Sequence, residues 1–279
     1  MAIPSADLSA NQGHVNAPSD GVMQGLYETS TTQKGPIGAR RVLSDGRVYR
    51  YSYFVGAANR GTLVAQDATS QTVAETAATT VRNSAGTAAD ISSSDNVNTL
   101  YLLDTDTITA ANSNDVFAGG YLHVINSDVG GYTYKIRGNT YTASTSVMAV
   151  DLYDNIVADI SSESELAITG NPYNYLQIYN NGTDDVIAGV TVMTQAADSY
   201  GWVQTWGIGT VLADESAGTI AAGTIAQGSD GVNGAAQPFG GGATNSESDH
   251  SYDTEPVIGY FISAATDTHH TPIFLQLAP

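Results

Sequence analysis

The chain of 279 residues contains no cysteine, so a disulfide framework and a thiolate metal site are both excluded. Positive charge is scarce: nine Lys and Arg stand against 28 Asp and Glu, for a formal net charge of −19. That balance argues against unaided binding to the phosphate backbone of nucleic acid and against anionic membrane surfaces. No run approaches the roughly 18 apolar residues that span a bilayer. Residues 1–10 show neither a basic segment nor a continuous apolar one, so a secretory leader is not expected and folding in a cytoplasm is. Sustained helical periodicity is also missing. Charged residues make up 13% of the chain, against roughly 25% in an average soluble domain. The polar surface must therefore be built from Ser, Thr, Asn, Gln and Gly, a composition that suits extensive protein contact.

Motifs of catalysis are missing as well. There is no Gly-x-Ser-x-Gly elbow, no phosphate-binding glycine-lysine loop and no His-Glu-x-x-His among the five histidines. Asp184-Asp185 and Asp214-Glu215 are the adjacent carboxylates that a glycosidase reading would need. Their turn-like contexts read more simply as solvated. No catalytic residue and no cofactor are expected. Glu247, Asp249 and Asp253 lie in a Gly-rich acidic stretch whose oxygens suit Ca²⁺, but the spacing and glycine of an EF-hand are not there. A solvated acidic loop is the simpler reading.

What is present is a hairpin signal. Arg40-Arg41-Val42-Leu43-Ser44 and Arg47-Val48-Tyr49-Arg50-Tyr51 flank Asp45-Gly46, a dipeptide suited to a two-residue type I′ turn. That turn predicts a register in which Ser44 faces Arg47, Leu43 faces Val48, Val42 faces Tyr49 and Arg41 faces Arg50. Opposed arginines repel, so carboxylates are expected over Arg41 and Arg50. Six of the nine bases lie between residues 34 and 60 beside one acid, Asp45, whereas residues 139–279 hold sixteen acids and no Lys or Arg. The hairpin is a positive island on a negative chain, and its carboxylate partners are sought within the chain or on a neighbouring subunit. Tyr49, Tyr51 and Tyr53 form a period-two stripe that needs a core or a partner surface.

Short β-rich runs recur about every ten residues and predict strands. They lie at 61–66, 99–103, 120–125, 132–137, 147–153, 175–179, 186–193, 200–206, 210–213, 256–262 and 271–277. One weak amphipathic helix is expected over 72–81. Residues 228–255 read as a long surface loop. The fold class is all-β: a sandwich or barrel core of short antiparallel strands from residues 35–66 plus 171–279, an inserted β-rich subdomain over 67–170, and an extended N-terminal arm over 1–34. Tyr200, Trp202, Gln204 and Trp206 share a strand face. Stacking on sugars or bases is one use for it, and a core or subunit contact is the better fit for aromatics among small neighbours. The residues expected at a subunit contact are Arg40, Arg41, Arg47, Arg50, Tyr49, Tyr51, Trp202 and Trp206.

Gly38-Ala39-Arg40-Arg41-Val42-Leu43-Ser44-Asp45-Gly46-Arg47-Val48-Tyr49-Arg50-Tyr51 resembles the opening of a family of structural proteins of tailed bacteriophages, many of them marine. The resemblance continues in Gly119-Gly120-Tyr121-Leu122-His123-Val124, Gly131-Tyr132-Thr133-Tyr134-Lys135-Ile136, Asp151-Leu152-Tyr153-Asp154, Asn171-Pro172-Tyr173, Trp202-Val203-Gln204-Thr205-Trp206-Gly207 and Ile273-Phe274-Leu275-Gln276-Leu277-Ala278-Pro279. It implies a virion protein and carries over no catalytic residue. By size and β-content the chain is similar to capsid decoration proteins. The expected role is a decoration or cement protein, made in the host cytoplasm and resident on the capsid surface. Its expected partners are the major capsid protein and further copies of itself in a homotrimer. The alternative is a receptor- or glycan-binding module of a tail or surface fibre.

Overall fold

A computed structural model of the chain describes residues 14–15, 24–67, 72–73, 80–82, 84–85, 87, 89–103, 114–125, 130–142, 147–162, 164–180, 186–216, 218–239 and 256–279. Among these the fold is all-β, with a single 3₁₀ turn at Ser93–Asp95 and no helix long and apolar enough to cross a membrane. The strands are β1 (His14–Val15), β2 (Arg40–Val42), β3 (Val48–Phe54), β4 (Leu63–Gln66), β5 (Thr72–Val73), β6 (Thr80–Arg82), β7 (Thr99–Leu103), β8 (Tyr121–Val124), β9 (Thr133–Thr142) and β10 (Val147–Leu152). They continue with β11 (Leu166–Thr169), β12 (Leu176–Ile178), β13 (Ile187–Thr191), β14 (Ser199–Leu212), β15 (Ile225–Gly228), β16 (Ala236–Pro238), β17 (Val257–Phe261) and β18 (His270–Gln276).

The chain divides into two compact units, one of residues 1–67 with 173–279 and one of residues 68–172. In the first unit β3 pairs with both β12 and β14, so β3, β12, β4, β13 and β14 close into a five-stranded barrel. One residue from each of these strands joins the same buried cluster: Phe54, Leu176, Val64, Ala188 and Val203. Closure leaves no free edge among those five strands, which removes a site for unwanted pairing. β14 is long enough to serve two sheets. Its first half pairs with β3, and its second half pairs with β18, from which β17, β15 and β16 extend. Leu63, Ile187, Val211, Ile258, Phe261, Ile273 and Leu275 form the core under that extension.

The second unit is a seven-stranded sheet in the order β5-β11-β8-β9-β10-β7-β6. β8 and β9 make the expected second hairpin, with Leu122 opposite Tyr134. Alternation along β9 buries Tyr134 and Ile136 and exposes Lys135 and Arg137, as the period of two in this stretch requires.

Four local expectations are corrected. The ends of the expected 72–81 helix are strands, β5 and β6, consistent with β-branched Thr and Val at 72–73 and 80–81. The runs at 200–206 and 210–213 are one strand, because Gly207 at φ 86° carries the backbone through the irregularity. The start of the expected 228–255 loop is built into the fold. Ser229 and residues 235–238 are buried, and β16 pairs with β15. Residues 24–34, assigned by composition to an arm, pack on the barrel: Gln24 and Leu26 are buried, and Ser30 bridges to Tyr200.

Candidate functional site

The hairpin forms with a different turn. Gly46 N–H donates to Leu43 O at 3.0 Å and Leu43 N–H to Arg47 O at 2.9 Å, so the loop has three residues, Ser44-Asp45-Gly46, with Gly46 at φ 86°. A three-residue loop shifts the register by one. Arg40 now faces Arg50, Arg41 faces Tyr49 and Val42 faces Val48. The expected Arg41–Arg50 opposition is therefore corrected: these two arginines lie on opposite faces.

Arg41, Tyr49, Tyr51 and Trp202 share the outer barrel face, which residues from 24 to 43 cover. Tyr49, Tyr51 and Trp202 are fully buried within one chain. Their expected role as subunit contacts is corrected to core, and stacking of Trp202 on a sugar is excluded with it. Gln24 organises this cover. Its side chain accepts from Tyr51 Oη at 2.8 Å and donates to Glu28 O and Tyr200 O, while its carbonyl accepts from Trp202 Nε1 at 3.2 Å. Nothing in the polar, aperiodic run around Gln24 signals that role.

The arginines meet aromatic faces and backbone oxygens, and Arg47 meets the side-chain carboxylate of Asp45. The Arg41 guanidinium sits 4.7 Å over the Trp202 ring and donates to Gln24 O at 3.4 Å. Burial pushes its pKa below the ordinary value, with Glu28 acting in the opposite sense. Arg50 lies 5.6 Å over Tyr173 and donates to Gly38 O and Pro279 O. The Nε atoms of Arg40, Arg41 and Arg50 are buried with no hydrogen-bond partner. Arg47 forms an ion pair, its Nε 2.7 Å from Asp45 Oδ2. Burial raises the Asp45 pKa, but hydrogen bonds and charge from Arg47 outweigh it and leave the carboxyl below its usual range.

Arg47 also lines a cleft of about 640 Å³ with Tyr27, Tyr49, Arg60, Gly61, Val190, Thr191, Val192, Gln204, Ile208, Gly209, Thr210 and His270. Among the described residues, two bases line this cleft and no acid does. The polar floor is largely engaged. Gln204 Nε2 donates to Trp206 O and Ile208 O, and Thr191 Oγ1 donates to Asn59 O. Arg60 is exposed, and its guanidinium has no partner among the described residues.

Beside the cleft runs an apolar row. Ile208 faces Phe274 across β14 and β18, Phe274 faces Tyr260 across β18 and β17, and Tyr260 faces Ile225 across β17 and β15. Directly opposite residues of antiparallel strands share a face, so these four side chains form one line. Phe239 N–H donates to Ile225 O at 2.9 Å and extends it. Tyr260 stacks on Phe274 with centroids 5.3 Å apart, and Trp206 meets Phe274 edge-on at 5.9 Å. Trp206 is thus half-buried at the margin of this row, separate from the buried Trp202. Sequence reasoning missed the row because it is spread over five segments of the chain.

Of the carboxylates, Asp214 is buried and not solvated as expected. Its Oδ2 accepts from Ser229 Oγ at 2.5 Å and its Oδ1 from Ser216 N–H at 2.8 Å. Burial raises its pKa, and the bonds from Ser229 and Ser216 outweigh that and lower it. Ser229 Oγ in turn accepts from Gly231 and Val232 N–H, so Asp214 organises a turn. Asp184, Asp185, Glu247, Asp249 and Asp253 lie outside the described residues, and no group of three metal-ligating side chains occurs among those described. His123 bridges Thr133 and Thr169, with burial lowering its pKa. Compared with known proteins, the chain matches no family model, no curated protein and no solved structure.

Proposed function

We propose that this chain is a structural protein of a tailed-phage virion, a decoration or cement protein that binds the assembled shell. The observation that carries this reading is where the phage-like stretches fall. Residues 38–51, 202–207 and 273–279 are far apart in sequence, yet they contribute β2–β3, β14 and β18, which adjoin in one sheet. The resemblance therefore runs through the residues that build the core, including Tyr49, Tyr51 and Trp202.

The mechanism is mass action. A protein that binds the assembled shell and not its separated subunits stabilises the shell by RT ln(1 + [L]/Kd), about 2.7 kcal/mol at a hundredfold excess over Kd. Low charge density suits the contacting surface, because few charges need desolvation. The test is copy number in purified virions, by gel densitometry against the major capsid protein, together with heat resistance of shells that lack this chain. Hundreds of copies and weaker shells are expected. A few copies per particle, or shells of unchanged resistance, overturn the reading.

The cleft beside Arg47 and Arg60 favours a second reading, a receptor- or glycan-binding module of a tail or fibre. A few copies per particle and binding to a host-surface acidic glycan are its expected results.

A further inference from the structure

We propose that the apolar row and the adjoining basic cleft form a contact face for a second copy of this chain. Two observations on the same unit carry the proposal. The first is the amount of apolar side chain turned outward. Ile208, Ile225, Phe239, Val257, Tyr260 and Ile262 are 38–60% exposed. Together they present on the order of 500 Å² of apolar surface, at the upper end of what an isolated monomer shows. At about 4.8 Å between strands, the line from Ile208 to Phe239 is about 19 Å long. A standard interface takes about 800 Å² from each partner, so the row supplies the apolar centre and the cleft margin supplies the rest.

The second observation identifies the occupant. Ile208 belongs both to the row and to the wall of the cleft, and Arg47 and Arg60 stand at that end. Arg47 also reaches a smaller depression of about 390 Å³ formed with Asp45, Gly46, Trp206, Gly207, Ile208 and Phe274. The face is thus apolar along its length, and at one end Arg47 is held by Asp45 while Arg60 has no partner among the described residues. Its partner must offer apolar side chains and carboxylates together. A second copy brings the same apolar row and an excess of acids, 28 against nine bases. A guanidinium without a partner among the described residues, such as that of Arg60, gains most from a carboxylate delivered with the water excluded. A glycan is the weaker fit, since most of the row offers it no polar partner.

The inference does not depend on shell binding and is tested on the purified chain alone. Sedimentation velocity across about 1 to 200 µM, spanning the range of weak specific complexes, reports mass and dissociation constant. Self-association is expected. Combining Ile225→Ser with Tyr260→Ser should raise the dissociation constant by about tenfold or more, and Arg60→Gln should do the same. All three side chains point outward, and circular dichroism with thermal midpoints confirms that the variants fold. Arg137→Gln is the control: the same change of net charge, on exposed Arg137 of the other unit, should leave association unchanged. A monomer at every concentration overturns the proposal. So does association that either the serine pair or Arg60→Gln leaves intact.

Discussion

Replacing Arg41 by Met tests whether the buried arginine of the hairpin contributes to stability or is tolerated by it. Arg41 is 7% exposed, and its Nε has no partner. Leaving such a donor buried costs about 1–3 kcal/mol. Against this stands the guanidinium over Trp202 at 4.7 Å, worth about 0.5–2 kcal/mol when desolvated. The hydrogen bond to Gln24 O is 3.4 Å long, past the usual 2.7–3.2 Å range, and adds little. Methionine preserves the unbranched apolar stem and removes the desolvated charge. The expected result is a stability unchanged or raised by up to about 2 kcal/mol, in line with buried ions replaced by apolar side chains of similar volume. Urea unfolding followed by fluorescence in a Trp206→Phe background reports on Trp202 alone, and an unchanged urea slope confirms comparable states. Arg41→Ala serves as contrast and should lose about 2 kcal/mol or more through the missing stem. If Arg41→Met destabilises by more than about 2 kcal/mol, the balance drawn here is wrong. The nearby Glu28 charge would then carry the site, and a double-mutant cycle with Glu28→Gln would show the coupling.

Gly46 occupies φ 86° in the hairpin loop, so Gly46→Ala should cost about 1–2 kcal/mol in a thermal melt, and Gly46→Asn less. Asp214→Ala removes the acceptor of Ser229 and Ser216 and should cost about 3 kcal/mol, with Asp214→Asn retaining part of it. Because the folded Asp214 pKa lies below its ordinary 3.8, its contribution is complete above that pH and is lost as pH falls; acid titrations of wild type and Asp214→Asn should diverge accordingly. Burial raises the pKa values of Tyr49 and Tyr51 above the ordinary 10, so the unfolded chain ionises first. Stability should then fall as pH rises above 10, by up to about 1.4 kcal/mol per pH unit for Tyr49, and Tyr49→Phe should flatten that slope, with Tyr51→Phe acting in the same direction.

Strand positions were legible wherever a strand carries its own period. Residues 99–103 are β7 as read, and β8, β9, β10, β17 and β18 lie within a few residues of their expected bounds, apart from the longer C-terminal reach of β9. The division of the chain falls at 67/68 and 172/173, where composition placed it at 66/67 and 170/171. The turn was not legible. Asp45-Gly46 serves a two-residue loop and a three-residue loop equally well, and contacts of Gln24, Leu26 and Trp202 with the Arg41-Tyr49-Tyr51 face select the second. That selection reassigns the candidate site, because a shift of one residue exchanges the two faces of β2 against β3. The basic island was legible as composition. The cleft and the apolar row were not, since their residues come from separate segments joined only by sheet order.

The sequence by itself determined the all-β class, the absence of disulfides, the acidic surface and the hairpin at residues 40–54, because alternation, composition and turn residues act within a few positions of one another. Only the tertiary structure decided that β3 meets both β12 and β14 to close a barrel, and that Trp202 is core while Trp206 borders a surface. It also decided that Arg41 rests on an aromatic ring and not on a carboxylate. Those outcomes depend on pairings between residues more than a hundred positions apart. Their energies come from burial and register, which no local window contains.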